Sequence, residues 1–174
     1  MSSKSIMPLW AYGAVACLIT TLTTLPSVVH AADVYRGTVT FVNDGDTAKV
    51  ATKHGEIKVR FAGIDAPEVK HNRNESDQPW GVQSREALTR KIDGRTVDLV
   101  CDGKSYDRRV CTLILDGLNV NEWMVQTGNA WAYDQYDKSG RMQKLENQAR
   151  ASRLGIWSLP ERQQIEPNLW RRSN

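Results

Sequence analysis

The sequence predicts an α+β protein, a small five-stranded barrel of the OB type flanked by three helices. Three observations predict it. Early segments alternate apolar and polar residues, the joints between them carry hairpin signals, and a helical segment is interposed before two further strands. Five short strands with a helix before the fourth can close on themselves and hide their edges. The alternative is an open antiparallel sheet with helices on one face, which leaves edges to be covered.

Val34 to Val42, Thr47 to Thr52 and Glu56 to Ala62 read as strands, joined by Asn43-Asp44-Gly45 and by Lys53-His54-Gly55. In the third segment Ile57, Val59 and Phe61 alternate with Lys58, Arg60 and Ala62, so Arg60 points away from the apolar face. Lys70 to Gln78 is a polar surface loop. Val82 to Ile92 has helical character, with Val82, Leu88 and Ile92 toward one side. Thr96 to Cys101 and Arg109 to Leu115 return to the strand pattern. Asn121 is placed to cap a helix that runs to Thr127 and stops at Gly128. A charged amphipathic helix follows over Ser139 to Arg153, with Met142, Leu145 and Ala149 inward and Gly155 ending it. Residues 160–174, with Pro160, Pro167 and Trp170, are expected to be an extended tail packed by its tryptophan. Trp123 and Trp131 are read as core.

The first 31 residues stand apart. Lys4 is their one charged residue, an apolar run extends from Leu9 to Leu25, and Val29-His30-Ala31 precedes Ala32 and Asp33. That pattern is an export signal cut after Ala31, making the chain periplasmic or secreted, with no stable membrane association once the leader is lost. The alternatives are an uncleaved anchor, since the run is near spanning length, and lipidation at Cys17. Residues 32–159 then form one domain; about 140 residues suffice for a core. The leader holds one of the 23 Lys and Arg residues and none of the 20 Asp and Glu residues, so the mature chain is nearly neutral. Bulk charge does not announce a polyanion binder, and any phosphate affinity must come from local clusters. In an exported chain, Cys101 and Cys111, on neighbouring strands, suggest one disulfide; the alternative is two buried thiols.

Asn43-Asp44-Gly45-Asp46-Thr47 and Gly63-Ile64-Asp65-Ala66-Pro67-Glu68 lie at the ends of successive strands, so their carboxylates converge on one rim. Converging carboxylates repel unless a proton or cation is shared, and a hard divalent ion with oxygen ligands removes that cost. Taken alone, the Asp-Gly pair is a hairpin turn and the Asp65 to Glu68 stretch a solvated loop. Arg60, and Arg108 in Tyr106-Asp107-Arg108-Arg109, complete an inventory for phosphodiester hydrolysis. An ion polarises the phosphoryl oxygen, guanidiniums match its oxygen pairs, and Glu68 positions or deprotonates water. For Arg108 the alternative is a surface ion pair with Asp102 or Asp107. His54 and His71 have no partner spacing for zinc, and no glycine-rich phosphate loop occurs.

Asp44-Gly45-Asp46-Thr47, Arg60, Gly63 through Glu68, Tyr106-Asp107-Arg108, Asp116-Gly117 with Val120-Asn121, Gly128 and Gly155-Ile156-Trp157 together resemble the staphylococcal (micrococcal) nuclease family over Val34 to Trp157. The resemblance implies an OB-type barrel, one Ca²⁺, and sugar-nonspecific cleavage of DNA and RNA to 3′-phosphate ends. It implies Asp46 and Asp65 as side-chain ligands and Ala66 as a carbonyl ligand. Glu68 is then the base or water-orienting group, and Arg60 and Arg108 hold the scissile phosphate. Tyr106 and Tyr133 or Tyr136 would contact the nucleotide, with Asp44 behind the ligands. The chain departs from the family where Asp107 precedes the arginine, which leaves Arg108 and Arg109 open as alternatives. It departs again at Ser105, for which the adjacent Lys104 substitutes. A glutamate beside an ion and arginines is expected to have a lowered pKa. Two rivals stand beside the nuclease: a non-catalytic OB module that binds single strands, and an exported calcium-binding structural domain. The default assembly is a monomer.

Overall fold

A computed structural model describes residues 32–70, 76–133 and 139–173. The expected leader, His71 and Tyr136 lie outside them. In chain order the elements are β1 (Asp33–Val42), β2 (Thr47–Thr52), β3 (Gly55–Phe61), β4 (Ile64–Asp65), α1 (Gly81–Ile92), β5 (Thr96–Ser105), β6 (Arg108–Leu115), β7 (Leu118–Asn119), α2 (Val120–Gln126), β8 (Trp131–Ala132), α3 (Arg141–Ala151) and α4 (Pro167–Ser173). Two short 3-10 turns lie between α3 and α4.

The main sheet runs β3-β2-β1-β5-β6-β7 through antiparallel neighbours, and it closes because β3 also pairs in parallel with β6. The closing register sets Val59 beside Arg109, Arg60 beside Val110 and Phe61 beside Cys111. This is the expected five-stranded barrel. Its interior follows from period-2 alternation: Val39, Val50, Val59, Phe61, Val97, Leu99, Cys111 and Leu113 are almost wholly buried, and the polar residues between them face outward. Leu88 and Ile92 of α1 join the same core, as do Val120, Met124 and Val125 of α2. Cys101 and Cys111 are directly opposed on β5 and β6 and form a disulfide. Trp131 is buried and packs edge to face on Trp157 at 4.4 Å. Among the described residues no helix is long and apolar enough to cross a membrane.

Three expectations need correction. Asn119, not Asn121, caps α2: its side chain accepts the Glu122 amide. Asn121 is wholly buried and works as a bracket, donating to the carbonyls of Ala62 and Cys111 at 2.9 and 3.1 Å and accepting the Leu113 amide at 3.1 Å. A buried amide with three partners offsets its desolvation and ties β6 to the corner after β3. Gly155 does not end α3, which stops at Ala151. It instead lets the chain cross Gly128, where a Cβ on Gly128 would meet the Leu154 carbonyl oxygen at 2.2 Å and a Cβ on Gly155 the Gly128 carbonyl oxygen at 2.1 Å. The tail is not extended. It makes one 3-10 turn at Glu161–Gln163 and forms a fourth helix, with Pro167 buried at the first helical position, where a missing N–H costs nothing.

Candidate active site

Asp46 sits at the mouth of β2, in a turn closed by its own amide donating to Asp44 Oδ1 at 3.0 Å. Gly45 is obligatory in that turn, because a Cβ there would lie 2.0 Å from Ser84 Oγ of α1 and 2.6 Å from the Ala66 side chain. The Asp46 carboxylate accepts from three protein groups and keeps acceptor capacity on Oδ1. Oδ1 accepts the Thr47 hydroxyl at 2.9 Å, while Oδ2 accepts the Ala66 amide at 2.7 Å and Arg60 Nη1 at 2.8 Å. Asp65 belongs to β4, which pairs with β8 opposite Trp131. Its Oδ1 accepts Arg60 Nη2 at 2.9 Å.

Arg60 therefore bridges both aspartates with its two terminal nitrogens. It stands on the outer face of β3, as the alternation requires, and opposite Thr47. Glu68 is fixed through its backbone. Its amide donates to Gln78 Oε1 and its carbonyl accepts the Gln78 amide, both at 3.0 Å. The start of α1 presses against the same residue, since a Cβ on Gly81 would lie 2.2 Å from the Glu68 carbonyl oxygen.

A cation that sequence reasoning missed completes this corner. Arg171 of α4 donates to both oxygens of Asp65, at 3.2 and 2.9 Å, and makes a short contact with Glu68 Oε1. Gln78 carries the tail to the site as well, donating from Nε2 to the Ile165 carbonyl at 2.6 Å. The one local signal was Pro167 after Glu166, a helix start in a stretch otherwise read as extended.

The charges are unbalanced. Burial pushes the Asp65 carboxyl up; the hydrogen bond from Arg171 pulls it partly back and the charge of Asp46 adds to the rise. Burial likewise raises Glu68 against the pull of Arg171, with Asp46 and Asp65 contributing; the expected lowering is for a glutamate beside an ion as well as arginines. Asp44 is held well above the usual carboxylate range by burial and by Asp46. For Arg171, burial opposes its charge, but the hydrogen bonds it donates to Asp65 and Glu68 more than offset it.

Hard oxygen donors with surplus negative charge suit a divalent cation such as Ca²⁺. As the side chains stand, no group of three or more His, Cys, Asp or Glu among the described residues converges closely enough to hold one. The guanidiniums of Arg60 and Arg171 bridge the carboxylates instead. Ala66, expected as a carbonyl ligand, meets Asp46 through its amide.

Lys104, Tyr106 and Arg108, three of the remaining expected residues, gather at the β5–β6 turn. Tyr106 is 96 % exposed with φ at 57°, and with Lys58, Lys104, Arg108 and Arg109 it lines a shallow groove. Lys58 takes up Asp107 at 2.5 Å. Arg109 is engaged elsewhere, paired with Asp33 at 2.7 Å and stacked over Tyr35. Arg108 meets Ser105 Oγ at 3.5 Å. By alternation it shares a strand face with Val110, the neighbour of Arg60, about 7 Å along the strand. Tyr133 lines a different cavity that contains Asp65, Trp131, Glu146 and Arg150.

The family model described as staphylococcal nuclease homologue matches residues 58–159. A micrococcal nuclease of Shigella flexneri is 36 % identical over 180 residues, covering 94 % of this chain and 94 % of the relative. An Escherichia coli protein named as an uncharacterized endonuclease is 33 % identical over 145 residues, 82 % of this chain and 88 % of its own length. A probable staphylococcal-like nuclease of rice, Oryza sativa subsp. japonica, is 36 % identical over 118 residues, which is 67 % of this chain and 33 % of the relative. With the closed barrel and the acidic corner bridged by Arg60, these likenesses show that the chain belongs to the staphylococcal nuclease family of phosphodiester hydrolases.

Proposed function

We propose that this protein is an exported, calcium-dependent nuclease that cleaves phosphodiester bonds in DNA and RNA and leaves 3′-phosphate ends. The observation that carries the reading is the span of Arg60 across Asp46 and Asp65, which puts a phosphate-matching guanidinium on the same rim as two buried hard-oxygen donors. Asp46 and Asp65, with the Ala66 carbonyl, would hold Ca²⁺. Bound there, the ion supplies Lewis-acid polarisation of a phosphoryl oxygen and offsets the repulsion of the acids.

The chain's own groups supply the rest. Glu68 orients the attacking water and accepts its proton on the carboxylate. Arg60 and Arg108 bind the non-bridging oxygens and stabilise the extra charge as water adds to phosphorus and the bond to the 5′ oxygen breaks. Lys104, Tyr106 and Tyr133 contact the rest of the nucleotide. A binding module has no use for buried acids on its binding rim, where they repel phosphate, and this counts against the non-catalytic OB reading. Export rests on the apolar segment before Ala32, and N-terminal sequencing of the released protein should begin at Ala32.

Supercoiled plasmid and RNA incubated with the mature chain should be cut with Ca²⁺ and spared with chelator. Glu68→Gln and Arg108→Ala should each lower turnover by roughly 10²–10⁴-fold. The new ends should resist extension until phosphatase removes a 3′-phosphate. Intact nucleic acid under every condition would sink the reading; binding without cleavage would restore the non-catalytic module.

A further inference from the structure

Two arginines hold the acidic corner, and they are held very differently themselves. Arg60 projects from a barrel strand paired on both sides and its side chain is 14 % exposed. Arg171 reaches Asp65 across 106 residues of sequence, from a seven-residue helix, and is 46 % exposed while its partner is 6 % exposed. It thus arrives from the solvent side. The helix is anchored at its beginning, where Ile165 accepts from Gln78 and Pro167 is buried, whereas Leu169, Arg172 and Ser173 toward its end are exposed.

Both oxygens of Asp65 and one of Glu68 are taken by this one guanidinium. Lone pairs committed to N–H donors are not free to coordinate an ion, and two cations cannot share that space without repulsion.

We infer that Arg171 is a built-in counter-cation, latched over the carboxylates by α4, which a divalent ion must displace before Asp65 and Glu68 become available to ion and water. This rests on the assignment of Asp46 and Asp65 as ion ligands. The fold thereby sets a threshold: α4 stays closed at low calcium and its last turn swings out when calcium is plentiful. Anchoring at Ile165 and Pro167 keeps the latch beside the site when it opens.

The test is calorimetric Ca²⁺ titration of the full mature chain, of Arg171→Gln and of Arg172→Gln. The last removes the same charge one residue further on, at a side chain outside the corner. Arg171→Gln should bind Ca²⁺ roughly five- to thirtyfold more tightly, the scale of a partly buried charged hydrogen-bonded pair, while Arg172→Gln should match the parent. Hydrogen exchange over 169–173 in the parent should quicken when Ca²⁺ is added. Equal affinity in all three proteins overturns the latch and leaves the ion site standing. Equal tightening in both variants reduces the effect to general charge and also overturns it. Absence of Ca²⁺ binding in every protein removes the ion site and the latch with it. Unchanged Ca²⁺ affinity with slower cleavage in Arg171→Gln would make the residue a substrate contact instead.

Discussion

Asp44, Asp65 and Glu68 all carry a raised affinity for protons, and burial is the first cause in each. A carboxyl whose folded value is raised binds more protons in the folded than in the unfolded chain. Its stabilising contribution is complete below the unfolded value and is lost as pH rises through the folded one. In chelator, the free energy of urea unfolding should therefore fall as pH climbs from about 4, the ordinary carboxylate range. Asp44→Asn isolates the corner's share: the amide oxygen still accepts the Asp46 N–H, while one repelling charge is gone. That variant should show a shallower slope and a melting temperature at neutral pH higher by roughly 2–5 °C. A variant that melts lower at pH 7 would mean that Asp44 is stabilised as an anion.

At the scale of elements, the corner is built by close approach of α1 to two loops, and glycine makes that approach feasible. Gly45→Ala drives a methyl group into Ser84 and Ala66. It should cost about 1–3 kcal/mol by overpacking, and it should lower turnover more than an equal destabilisation elsewhere, because Asp46 moves with the loop. Denaturant unfolding beside cleavage kinetics separates the two effects. The disulfide acts on the strand that closes the barrel, since Cys111 faces Cys101 on one side and Phe61 on the other. Replacing both cysteines by alanine should cost about 2–4 kcal/mol, measured as a lower urea midpoint that added reductant no longer changes. Much of this was legible in sequence. Alternation gave the strands and the outward set of Arg60, and hairpin joints gave the loops that carry Asp46. Asn121 was misread because a capping residue and a buried bracket look alike when only near neighbours are known. Gly155 was misread because a helix stop and a chain crossing call for the same residue. Arg171 was out of reach: its partners lie more than a hundred residues away, and no periodicity encodes that contact.

For the molecule as a whole, the rim gathers acids from two loops and neutralises them only in part, with one arginine from a barrel strand and one from the last helix. A ligand that binds the folded chain and not the unfolded one stabilises it by mass action, about 2.7 kcal/mol at a hundred times its dissociation constant. If the ion enters this corner, it takes over the neutralising role that protons fill at low pH, so the two compete. Ca²⁺ should then stabilise the fold weakly near pH 4–5, where the acids are partly protonated, and more strongly near pH 7, where they are charged. Unfolding curves with saturating Ca²⁺ should therefore diverge from those in chelator as pH rises, and the downward slope of the chelated protein should flatten. Neutralising Asp65 as Asp65→Asn should abolish most of the divergence while leaving the barrel folded. Stabilisation by Ca²⁺ of equal size at both pH values, or untouched by Asp65→Asn, would place the ion on some other part of the surface and detach it from the chemistry of this rim.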